Sequence, residues 1–172
     1  DNFMVHGETI KLSDFGLATF LTPGRLLTQK CGTPAFMAPE QVKLPRCSRG
    51  YTHAVDNWAA GVTMYMLMFG GRHPFLTPAH QLDERRLLQG ALDFHVVQAQ
   101  TFFGFGKPEA RFSEPARKLC RKLVEPDMHR RPSAKEACQD PWLQAAYGGG
   151  PGGQRVPSKV SADASPASAS TS

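Results

Sequence analysis

The chain has 172 residues, 41% hydrophobic and 20% charged, with 20 Lys and Arg against 15 Asp and Glu for a net charge of +5. That length supports one domain with a real core, and the balance suits a soluble globular fold. The longest apolar run, residues 61–69, falls well short of the about 20 residues a membrane-spanning helix needs, and no basic-then-apolar leader opens the chain. No membrane partner is expected. The basic residues are scattered in pairs such as Arg85-Arg86, Arg117-Lys118, Arg121-Lys122 and Arg130-Arg131. They read as solvated helix faces and not as a nucleic-acid stripe. Cys31, Cys47, Cys120 and Cys138 contain no C-x-x-C pair, which argues against zinc and suits reduced thiols in the cytoplasm, with the nucleus as the alternative. Asp1 in place of Met fits either a truncated sequence or a processed product.

In chain order, Asn2–Val5 and Thr9–Leu12 are short apolar runs around His6-Gly7-Glu8, which predicts a β-hairpin. Residues 13–39 read as loop, with a turn at Pro23-Gly24. Pro39–Lys43 predicts one helical turn with proline at its start. Residues 44–52 read as a polar connection. Val55–Phe69 is apolar on nearly every side, which predicts a helix buried all round and ended by Gly70-Gly71. Ala79–Gln89 predicts an amphipathic helix with Leu82, Leu87 and Leu88 on one side. Residues 91–112 are Phe-rich and irregular. Pro115–Val124 predicts a helix capped by Ser113, with Ala116, Leu119, Cys120 and Leu123 inward. Ser133–Glu136 fits a capping box for the last helix, which Pro141-Trp142-Leu143 is expected to close. From Gly148 the chain is Gly, Pro, Ser and Ala, a composition that cannot bury enough surface to offset ordering entropy. The expected division is a folded unit at 1–146 and a disordered tail at 147–172.

Two motifs stand in a fixed order: Asp14-Phe15-Gly16 within Lys11–Ala18, then Cys31–Glu40 with Gly32-Thr33-Pro34 and Ala38-Pro39-Glu40. Together they resemble the activation segment of eukaryotic protein kinases. Gly-Thr-Pro before Ala-Pro-Glu is the serine/threonine style. Softer likenesses in Phe20–Gly24, Gly71–Phe75 and Ser133–Trp142 are similar to the calcium- and calmodulin-dependent kinase group. No D-x-[DN]-x-[DN]-G loop is present, so direct calcium control is not supported. The implied fold is kinase-like α+β, of which residues 1–146 would be the mainly helical large lobe, with a short hairpin before the DFG motif.

The resemblance implies roles residue by residue. Phosphoryl transfer is mostly positioning and charge neutralisation, so Asp14 would hold Mg²⁺ against the ATP phosphates and Asn2 would bind a second ion. Phe15 would pack inward and Gly16 would give backbone freedom. Thr33 would orient substrate and base. Glu40 would form a buried pair with Arg131, and Asp56, at the start of the central helix, would accept backbone N–H groups from the catalytic loop. Gln29 stands where many kinases have a phosphorylatable residue, leaving Thr28, one position off, as the candidate phosphosite. His73 and His80 are isolated and read as packing or solvated residues.

The implied function is a serine/threonine protein kinase that transfers the ATP γ-phosphoryl group to protein substrates. The Gly-rich loop, the ATP-pairing Lys with its Glu, and the His-Arg-Asp loop would lie upstream of Asp1. These residues by themselves are therefore expected to be inactive and marginally stable. The rival reading is a non-catalytic pseudokinase or docking module using the basic helix at Arg117–Lys122; an intact Asp14 speaks against it.

Overall fold

The computed structural model describes residues 2–7, 9–95 and 112–148. Most of the irregular 91–112 stretch and nearly all of the tail lie outside the described residues. The elements are β1 (Phe3–His6), β2 (Thr9–Leu12), α1 (Pro39–Val42), α2 (Ala54–Met68), α3 (Glu84–Leu88), α4 (Glu114–Leu123), α5 (Ala134–Cys138) and α6 (Pro141–Gly148). A 3-10 turn, Pro34–Phe36, leads into α1.

β1 and β2 form the expected antiparallel hairpin, with Phe3 opposite Leu12 and His6 opposite Thr9. Every strand residue is exposed. At the open end the Ser13 backbone N–H and hydroxyl both donate to the Asn2 carbonyl, at 2.8 and 3.1 Å. That closure brings Asn2 beside the residue preceding Asp14.

α2 is the spine. It buries Asn57, Trp58, Gly61, Val62, Tyr65 and Met68, a three- and four-residue spacing that marks one helical stripe. Burial all round does not hold: Leu67 is 79% exposed. The stripe is chosen by what packs on it. On one stretch Trp58 and Val62 join Ala38, Phe75, Leu87 and Val124; on the next, Tyr65, Met68 and Phe69 join Ala116 and Cys120. α4 lies across α2 at Gly61, where a Cβ would stand 2.6 Å from Val124 Cγ2 and 2.8 Å from Leu123 Cβ. Cys120 lies with its Sγ 3.5 Å from the Gly61 carbonyl, to which it donates. Burial pushes that thiol up to about 12, so it stays a neutral packing group.

α4 matches its expectation. Ser113 Oγ accepts the Ala116 N–H, and Ala116, Leu119, Cys120 and Leu123 are buried. Two other boundaries differ. α3 begins at Glu84 and not near Ala79, because the Asp83 carboxylate accepts the Arg86 N–H at 3.0 Å and caps the helix there. Residues 76–82 instead form a turn closed by a Leu76–Leu82 bridge. The helix opened by the Ser133–Glu136 capping box ends at Cys138. Pro141 then starts α6 instead of closing its predecessor, and Asp140 accepts the Trp142 N–H at 3.1 Å. No helix among the described residues is long and apolar enough to cross a membrane.

The α2–α4 crossing yields a direct test. Gly61→Ala would force a methyl into two side chains and is expected to cost about 1–3 kcal/mol by overpacking. The midpoint of chemical denaturation measures it; an unchanged midpoint would show that the two helices separate freely.

Candidate functional site

The frame of the site is one buried ion pair. Arg131, with a side chain 0% exposed, donates Nη1–H to Glu40 Oε1 at 2.8 Å and Nη2–H to Oε2 at 3.1 Å. The same guanidinium donates to the carbonyls of Ala54 at 2.8 Å and Glu125 at 2.9 Å. Its Cζ lies over the Trp58 ring, 5.2 Å from the centroid. Asn57 adds a bond from its amide to the Pro132 carbonyl at 3.0 Å. One side chain thus ties α1, the first turn of α2 and the segment after α4. This is the expected Glu40–Arg131 pairing.

Beside that frame is an open cleft of about 1120 Å³ lined by Asn2, Asp14, Gly16, Thr33, His53 and Asp56, among others. Four of the residues singled out for chemistry therefore share one rim: Asn2, Asp14, Thr33 and Asp56. Asp14 has φ +62, a left-handed conformation that Asp tolerates better than most residues. Its Oδ1 accepts the Gly16 N–H at 3.2 Å. The freedom expected at Gly16 is thus used two residues earlier, at Asp14. What Gly16 supplies is room, since a Cβ there would sit 3.2 Å from the same oxygen.

Phe15 does not pack inward. It is 66% exposed, next to Leu17 at 67% and Phe20 at 100%. No described residue offers an apolar surface that covers it, so the ring stays in solvent.

Thr33 caps the 3-10 turn through its backbone, its carbonyl accepting the Phe36 N–H at 2.9 Å, while its hydroxyl makes no capping bond. Thr33 is exposed and lines the cleft. Thr28 is exposed as well. Asp56 sits in the first turn of α2, open to solvent on one side. Protein packed around its carboxyl nonetheless raises its pKa above the ordinary aspartate value, while His53 pulls the other way. Thr63 turns its hydroxyl back to the Ala59 carbonyl at 2.9 Å, inside α2.

His73 is a packing residue, as expected. It is buried edge-on against Phe36, with centroids 5.3 Å apart, and its Nδ1 accepts the Phe75 N–H at 3.1 Å. Burial lowers its pKa, while the Ala35 backbone works in the other direction. The basic face of α4 is largely spent on internal pairs. Glu114 meets Arg117 and Arg121 at 3.0 Å, and Asp140 meets Lys122 at 2.8 Å.

One cleft residue escaped the sequence reading. Tyr51 is 5% exposed, although residues 44–52 read as a polar connection. The signal was there: a lone aromatic flanked by Gly50 and Thr52, just before a helix.

These features meet in one family. The family model for the protein kinase domain matches residues 1–143, and the chain belongs to that family. It is 36% identical over 137 residues to calcium-dependent protein kinase 13 of Arabidopsis thaliana, covering 80% of this chain and 23% of that protein. It is 35% identical over 150 residues to calcium-dependent protein kinase 9 of Oryza sativa subsp. japonica, covering 85% and 23%. Similarity extends to the serine/threonine-protein kinase DCLK3 of Mus musculus, 35% over 136 residues, covering 79% and 15%. The chain spans less than a quarter of the length of these curated relatives.

Asp56 offers a pH test. Its raised folded pKa means the fold binds that proton more tightly than the unfolded chain does. The resulting stability is present below about pH 4 and is lost as pH rises through the folded pKa. Asp56→Asn should therefore raise the melting temperature at pH 7, and the gap should close as pH falls toward 4. A substitution that lowers the melting temperature equally at all pH values would contradict the raised pKa.

Proposed function

We propose that the chain is part of a serine/threonine protein kinase and forms the mainly helical large lobe of that two-lobed fold. The intact protein transfers the ATP γ-phosphoryl group to Ser or Thr hydroxyls of protein substrates. The observation that carries this reading is the shared cleft rim: Asn2 and Asp14 stand at one end of the hairpin and Thr33 at the start of the Pro34–Phe36 turn.

Their chemistry suits the reading. Asn2 and Asp14 present an amide and a carboxylate, hard oxygen donors suited to Mg²⁺. Among the described residues no group of three or more His, Cys, Asp or Glu could hold a metal. A donor set this sparse fits an ion completed by nucleotide phosphates and water, as Mg²⁺ prefers, and not an all-protein cage. Bound there, Mg²⁺ would neutralise phosphate charge as it develops. Asp14 would hold it through the carboxylate oxygen not engaged by Gly16, and the unbonded Thr33 hydroxyl is free to orient the acceptor. Gly32–Glu40 forms the ledge for the substrate residue beside the acceptor. These residues without an upstream base are inactive.

Calcium dependence is a property in the names of the plant relatives. The 172 residues contain no D-x-[DN]-x-[DN]-G loop, and we do not extend that property to this protein. A docking role through α4 is disfavoured by the internal pairing of Arg117, Arg121 and Lys122.

The test is transfer of labelled γ-phosphate to a Ser/Thr peptide library by the full-length protein. Asp14→Asn should reduce the rate by about a hundredfold or more while leaving the melting temperature unchanged, because Asp14 is exposed and bonds locally. A wild-type protein that binds no Mg–ATP, or a variant as fast as wild type, would remove the catalytic reading.

A further inference from the structure

The strip from Leu27 to Thr33 has little of its own to hold it. Thr28, Gln29 and Lys30 are exposed, and Leu27 is half-buried. It nevertheless runs a defined course, because the segment from Ser48 to Tyr51 grips it. Leu27 and Tyr51 exchange both backbone hydrogen bonds at 2.9 Å, an isolated antiparallel bridge. The Tyr51 hydroxyl donates to the Gln29 carbonyl at 2.7 Å. Cys31 Sγ lies 3.5 Å from the same hydroxyl oxygen. A phenol has one proton, and the carbonyl takes it, so the thiol donates to the phenol oxygen. The three groups form a relay from Cys31, two residues before Thr33, through Tyr51 to Gln29. Burial first, and then the Cys31 bond, hold the phenol well above its ordinary pKa, so it remains a donor at neutral pH.

Gly50 lets the grip close. It has φ +142, and a Cβ there would stand 2.7 Å from both Leu26 Cβ and the Leu27 carbonyl oxygen. The backbone contact cannot be relieved by a rotamer change. Ser48 fixes the approach by accepting the Gly50 N–H at 3.2 Å. On the other flank, Lys30 Nζ donates to the Val42 carbonyl at the end of α1, at 2.9 Å.

We propose that Tyr51 is the positioning residue of the strip that leads into the substrate ledge: its hydroxyl, bonded to the Gln29 main chain, holds residues 27–33, and with them the start of the ledge at Gly32 and Thr33, in place with no phosphate on the strip. The part played by the ledge in binding peptide rests on the kinase reading above; the grip itself does not. Because the acceptor is a main-chain carbonyl, the hold is independent of any modified side chain at Thr28 or Gln29.

The experiment compares full-length wild type with Tyr51→Phe by amide hydrogen exchange and by steady-state kinetics. Phe fills the same volume, and the exposed Gln29 carbonyl can turn to water, so global folding should be spared. The expected result is exchange at residues 27–33 about three- to tenfold faster, the size of one lost hydrogen bond, with α2 amides unchanged. The KM for peptide should rise by a similar factor while the KM for ATP stays fixed. Gly50→Ala should reproduce both effects by wedging the two segments apart. Unchanged exchange at 27–33 overturns the proposal, as does a uniform acceleration across the chain, which would mark Tyr51 as ordinary core. Faster exchange with an unchanged peptide KM overturns the positioning role. If wild type transfers no phosphate, the kinase reading fails, and exchange alone still decides the grip.

Discussion

The fold is organised by a charge that has nowhere else to go. Arg131 is fully buried, and a buried guanidinium is tolerable only when its donors are met. Glu40, Ala54 and Glu125 meet them from three parts of the chain. Removing the carboxylate would leave an uncompensated charge in the interior, a loss of about 3–5 kcal/mol. The pair is also directional. Two parallel N–H···O bonds set the angle of α1 as well as its distance, and α1 follows directly on the turn that carries Thr33. A hydrophobic contact at the same place would be slippery by comparison.

From that pair outward, the molecule divides by what it buries. Around Trp58, Val62, Phe75 and Val124 the packing is tight enough that Gly61 must lack a side chain. Toward the cleft it thins. The hairpin is exposed on both faces, and Phe15, Leu17 and Phe20 lie in solvent. Side chains that would meet metal and nucleotide are carried on short local structures, an Asx-type turn at Asp14 and the hairpin end at Asn2. The side that would meet protein substrate is anchored to the core, through Tyr51 and the lead-in to α1.

Legibility in the sequence followed the range of the interactions. Local chemistry was readable: the Ser113 and Ser133 caps, the hairpin, the inward face of α4 and proline at the start of α1 all depend on residues within one turn. Glu40 and Arg131, 91 positions apart, were readable only through resemblance, since spacing alone pairs no such residues. Errors arose where tertiary contact or a competing local signal decided. Leu67 is as apolar as its neighbours but faces outward. Asp83 overrode an amphipathic pattern that began earlier. Asp140 and Pro141 restart a helix where proline by itself signals an end. Phe15 was expected inside because the resemblance supplied a surface that the described residues do not. Tyr51 was passed over because its partners, Leu27 and Gln29, come from a loop with no pattern of its own.

The central claim is that the buried pair sets the geometry of the cleft, and so the rate of the phosphate transfer proposed for it. The most direct measurement is the phosphate-transfer rate of the full-length protein carrying Glu40→Gln, Arg131→Met, and both together. If the pair acts as one unit, each single substitution lowers the rate, and the double variant is no slower than the slower single, a coupling of about 1.4 kcal/mol or more, which is tenfold. Single effects that simply multiply, or singles that leave transfer untouched, would contradict the account.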